Sequence, residues 1–77
     1  MKYLEPLQIE AMSDAALTNY ELSCEWGKAA KAAEEYCIDE YGFIPRRSAV
    51  LLARNLAKIR WFAIVEATRK ATGEPQQ

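Results

Sequence analysis

Apolar and small residues recur along this chain in runs with different rhythms. From Ser13 onward, Ala15, Asn19, Leu22, Trp26, Ala29, Ala33 and Tyr36 follow one another at spacings that alternate four and three. That is the seam of a helix packed along one stripe. Ala30 and Cys37 widen the stripe, while Glu21, Glu25, Lys28, Lys31 and Glu35 lie on the opposite, watery side. Ser13 is a good N-cap, with Asp14 beside it to complement the helix dipole. Gly42 is the natural stop, and Phe43 is placed to fold back as a hydrophobic contact. The pattern predicts a single helix over about 13–41. Gly27 and the alanines around it imply close approach by a neighbour, at a cost of about 1 kcal/mol in propensity for the glycine.

A second long helix is expected over about 45–72, opened by Pro45 and closed by Gly73 and Pro75. Its pattern is less one-sided. One stripe contains Ala49, Leu52, Leu56, Ile59 and Ala63; another contains Val50, Ala53, Ala57, Trp61, Ile64 and Thr68; Leu51, Phe62 and Val65 form a narrower third edge. A helix apolar over most of its circumference is buried on more than one side. Ahead of both helices, Tyr3, Leu4, Leu7, Ile9 and Met12 surround Pro6 in a segment that reads as a short helix or an extended arm.

The fold class expected is therefore all-α, as a single helical domain over residues 1–77. Two long antiparallel helices form a hairpin, accompanied by the short N-terminal helix or arm. A hairpin covers one face of the second long helix, which leaves Trp61, Phe62 and Val65 to meet something else. Exposed apolar patches of that kind mark protein contacts. Two hairpins pairing as a homodimeric four-helix bundle, or a docking face for another protein, is the expected solution; an N-terminal arm closing a monomeric core is the alternative. At 77 residues the chain is near the lower limit for an unaided core, so help from oligomerisation or close helix packing is in order.

Charge alters this picture more than composition does. The chain is almost neutral, with 10 basic and 11 acidic residues. From Ser13 to Ile44, however, the net charge is −5, and from Pro45 to Thr72 it is +6. On a helical wheel Arg47, Arg54, Lys58 and Arg69 fall within about sixty degrees of one another. Such a row suits phosphates, with Trp61 and Phe62 available for base stacking. It equally suits pairing with the acidic helix, where each exposed ion pair contributes about 0–1 kcal/mol and serves register more than stability.

Much chemistry is missing. The chain has no histidine, and its three glycines are isolated, so neither the commonest general base nor a phosphate-cradling loop is present. Cys24 and Cys37, placed in one helix, stand about 20 Å apart, too far for a disulfide, and they read as small hydrophobes rather than metal ligands. No catalytic, cofactor-binding or metal-binding residue is assigned, and no enzymatic activity is expected. The start of the chain does not read as a signal peptide, and no apolar run approaches about 18 residues. With reduced-looking cysteines, the expected compartment is the cytoplasm.

Met12-Ser13-Asp14-Ala15-Ala16-Leu17, leading into an alanine- and glutamate-rich helix, resembles small accessory proteins of phages and prophages. The resemblance covers about half the chain. It implies a tiny helical protein that binds and inhibits or modulates a bacterial host protein of defence, transcription or signalling. Two functions follow for test. One is a protein-interaction module using Trp61, Phe62 and Val65, with Arg47, Arg54, Lys58 and Arg69 around them. The other is nucleic-acid or nucleotide binding through the basic stripe alone.

Overall fold

A computed structural model describes residues 3–71 and residue 73. Three helices account for nearly all of them: α1, Pro6–Ser23; α2, Trp26–Tyr41; and α3, Arg47–Ala71. The N-terminal segment is thus helix rather than arm. Pro6 stands in the first turn, where its missing N–H costs nothing, and the free N–H of Glu5 is taken by Gln8 Oε1 at 2.8 Å.

The continuous helix expected over about 13–41 does not form. It breaks at Cys24 and Glu25, which join α1 to α2. Cys24 takes the left-handed conformation (φ 58°, ψ 28°), and its N–H closes α1 by donating to the Tyr20 carbonyl at 2.8 Å. Ser23 braces the corner: its hydroxyl donates to Asn19 Oδ1 at 3.1 Å and accepts from the Glu25 N–H at 3.2 Å. The reason for the break is burial. A straight helix would leave Ile9, Met12, Ala16 and Leu17 uncovered, whereas folding back packs them with Ala29, Ala33 and Cys37. No glycine or proline announces the corner. Ser13, expected as the N-cap, instead lies inside α1 and is fully buried, its hydroxyl donating to the Glu10 carbonyl at 2.7 Å. Leu22, expected on the packed seam, is 84% exposed. Gly27 is exposed too, and a Cβ there would meet nothing, so no neighbour approaches it.

Gly42 ends α2 as expected, in the left-handed region (φ 79°), its N–H donating to the Ile38 carbonyl. Phe43 folds back onto the core, and its carbonyl accepts the Cys37 thiol at 3.4 Å. α3 then returns alongside α1. Leu4 and Ile9 share a cavity with Ala49 and Leu52 near its start, and Tyr20 meets Trp61 further along. The chain runs up, down and up again, as a three-helix arrangement rather than a two-helix hairpin. Its centre is lined by alanine: Ala16, Ala29, Ala33, Ala53 and Ala57 are fully buried around Met12 and Cys37. Side chains this small let helix axes approach to the short end of the usual 8–10 Å.

Candidate interaction surface

The residues that point away from this core decide what the molecule offers a partner. Along α3, Val50, Ala53 and Ala57 are buried, which fixes the inward face. A different seam, Ser48, Leu52, Asn55, Ile59, Phe62 and Glu66, repeats at alternating spacings of four and three, and all six residues are exposed. Leu52, Ile59 and Phe62 expose 50%, 65% and 61% of their surface. Their spacing is that of helix-to-helix packing, yet among the described residues none covers them fully, Leu52 alone being flanked by Leu4 and Ile9. They form a ridge about 15 Å long, from the ~1.5 Å rise per residue.

The ridge is flanked by cations, but these are not equivalent. Arg47 is exposed. Arg54 is half-buried; its Nη2 donates to Asn55 Oδ1 at 3.0 Å, while its Nε is shielded from solvent without a partner. Lys58, half-buried, sits over the Trp26 ring with Nζ 5.8 Å from its centroid, an arrangement that favours the cation. Arg60 crosses to α1, where Nη1 donates to the buried Ser13 hydroxyl at 3.1 Å and pairs with Asp14. Arg69 lies on the exposed C-terminal part of α3. Lys58 of the basic stripe is therefore engaged by α2, and Arg60, off the stripe, by α1.

Of the aromatic anchors expected from sequence, Phe62 alone stands free on the outward seam. Trp61 is half-buried at the end of the core, edge-on to Tyr20 with ring centroids 5.3 Å apart and planes at 69°. Tyr20 in turn stacks on Trp26 at 3.7 Å, so one ring from each helix joins a cluster that closes this end of the molecule. Val65 is half-buried just beyond it; every other described residue from Phe62 to the end is exposed. Leu52 and Ile59 are the exposed ridge residues that sequence reasoning did not group with Phe62. The four-three spacing through Asn55 was the available signal, obscured because Leu56, between them, turns towards α1 and lines a cavity with Glu10, Ser13 and Asp14.

On the far side of the molecule, α1 and α2 form an open, mainly apolar groove of about 460 Å³ lined by Ala11, Ala15, Thr18, Leu22, Ala32 and Tyr36. Two packed helices make two grooves; α3 fills one, and this is the other. Its borders are acidic. Asp14 lines it, with Glu10 and Glu21 on the same stripe of α1, and Glu35 and Asp39 stand along the α2 side. Lys28, the cation of that border, is held by Glu25 at 3.6 Å.

Among the described residues no group of three or more His, Cys, Asp or Glu is arranged to hold a metal ion, and none of the described helices is long and apolar enough to cross a membrane. Cys24 is free and exposed, whereas Cys37 is free and buried, and burial raises its thiol pKa above the usual value. Comparison of the chain with family models, with curated proteins and with solved structures finds no match.

Proposed function

We propose that this protein is a protein-interaction module whose contact element is the outward face of α3. One observation carries the reading: the seam of Leu52, Asn55, Ile59 and Phe62 has the spacing of a helix-packing stripe and is exposed along its whole length. Water is a poor environment for three large apolar side chains arranged in a row, and such rows on small proteins serve contacts. The flanking cations supply orientation more than affinity.

The basic stripe supports nucleic-acid binding less well. Lys58 of that row is drawn over Trp26, so the row of cations that would follow a phosphate backbone is interrupted between Arg54 and Arg69. The resemblance of Met12 to Leu17 to phage accessory proteins adds no contact surface, because Met12, Ser13, Ala16 and Leu17 face the core.

The test is affinity capture with tagged protein from a cell lysate, comparing wild type with Phe62→Glu. A protein retained through nuclease treatment and about 0.5 M salt, where exposed charges are screened within about 4 Å, and absent with Phe62→Glu, is the expected result. Recovery that vanishes with nuclease moves the function to the basic stripe.

A further inference from the structure

We infer that the partner of the α3 ridge is a second copy of this chain, which receives the ridge in its α1–α2 groove. The inference rests on the reading of α3 as a contact element and names its occupant. Three observations favour this pairing over others.

The first is shape. The ridge carries large side chains at Leu52, Ile59 and Phe62. The groove is lined by small ones, Ala11, Ala15, Thr18 and Ala32, together with Leu22 and Tyr36. Large residues seated over small ones is how helices interdigitate closely.

The second is charge. Arg47, Arg54 and Lys58 border the ridge on one side and Lys70 on the other, while Arg60 is already paired with Asp14. The groove is bordered by Glu21, Glu35 and Asp39, with Lys28 held by Glu25 and Asp14 already held by Arg60. Ridge on groove sets Arg47, Arg54 and Lys58 beside these carboxylates. Ridge on ridge, the contact of a symmetric α3-to-α3 dimer, sets cations beside cations, and like charges across an interface oppose association.

The third is length. Leu52 to Phe62 and Ala11 to Leu22 both span about three helical turns, roughly 15 Å each, so one ridge fills one groove.

Because ridge and groove lie on opposite sides of the molecule, the contact is head-to-tail. Each copy donates a ridge to one neighbour and receives one from another, so assembly continues until it closes as a ring or is interrupted. A single helix in a single groove is a small interface, below the ~800 Å² per partner of stable complexes, and the association is correspondingly weak, of roughly micromolar strength or less.

Sedimentation equilibrium on nucleic-acid-free protein decides the matter when wild type is compared with Ile59→Glu, which spoils the ridge, and Thr18→Arg, which blocks the groove. Both positions are exposed, and circular dichroism checks that each variant stays folded; Phe62→Glu and Leu22→Arg serve the same purposes should either fail. Wild type is expected to gain average mass steadily from roughly 10 µM to 1 mM. Each variant alone is expected to stay monomeric, with association weakened at least about tenfold by the misplaced charge. Mixed one to one, the intact ridge of Thr18→Arg meets the intact groove of Ile59→Glu, and the mixture stops at a dimer. High salt weakens all these contacts without abolishing them.

A wild type that is monomeric throughout overturns self-association, and leaves the capture experiment to judge the interaction module independently. Dimers of Thr18→Arg that resist mixing overturn the head-to-tail arrangement in favour of ridge on ridge. Association that appears only when nucleic acid is added back overturns the choice of occupant.

Discussion

Cys24 occupies a backbone position that suits glycine. At φ 58° and ψ 28° its Cβ crowds the following carbonyl, a penalty of roughly 1–2 kcal/mol for an L-residue, partly offset in glycine by greater backbone entropy. Cys24→Gly is therefore expected to raise stability by about 0.5–1 kcal/mol, some 3–6 °C for a chain of this size, with Cys24→Ala near neutral; thermal melts check it. The two thiols should also separate chemically. A thiol reagent is expected to modify Cys24 at once and Cys37 only on unfolding, because Cys37 is fully buried and donates to the Phe43 carbonyl. Burial raises the Cys37 pKa, and burial together with neighbouring Tyr36 raises that of Tyr41. For both, the unfolded chain ionises first as pH rises. Their contribution is intact below the ordinary thiol and phenol ranges and is lost on passing upward through the folded values. Melting temperature is expected to fall on the alkaline side, and less steeply in Cys37→Ala.

At the scale of elements, packing depends on alanine. Ala33 of α2 and Ala53 and Ala57 of α3 are fully buried, so the helices meet with little between them. Ala57→Leu is expected to cost about 1–3 kcal/mol, because the added carbons can be seated only by separating the helices. Denaturant unfolding measures this, and a neutral result would mean the helices are loosely packed. The same closeness explains why the periodicity of α3 resisted interpretation. Three apolar stripes were legible in its sequence, but an alanine stripe, Ala53 and Ala57 with Val50, buries as completely as a leucine stripe when the neighbour is close. The larger side chains of Leu52, Ile59 and Phe62 were left outside. Residue size pointed one way and proximity decided the other. Arg60 shows the complementary case. Nothing in its sequence neighbourhood marks it as the residue that reaches Ser13 and Asp14, 47 and 46 positions away, since that pairing exists only once α1 and α3 lie side by side.

For the molecule as a whole, a small alanine-rich core gives little hydrophobic burial per residue, and binding that involves only the folded form adds to stability by mass action. Head-to-tail association therefore predicts a melting temperature that rises by a few degrees between roughly 10 µM and 1 mM wild-type protein. Thr18→Arg and Ile59→Glu should each melt at a temperature independent of concentration. A flat wild-type series would count against self-association and not against the three-helix fold.

The sequence by itself determined the helical class, the αL stop at Gly42, the helical reach from Arg47 to Ala71 and the opposition of acidic and basic segments, because each depends on local periodicity, on the φ preference of glycine or on counting charge. It left Phe62 uncovered for the same reason, and Phe62 is exposed. Only the tertiary structure decided that the helix through Cys24 would break, that Ser13 would be buried rather than cap, and that Trp61 would close an aromatic cluster with Tyr20 and Trp26. It alone left the Leu52–Ile59–Phe62 ridge opposite an acidic groove. Those outcomes depend on which faces cover one another across distances of tens of residues, and that choice is made by total burial, which no single stretch of sequence carries.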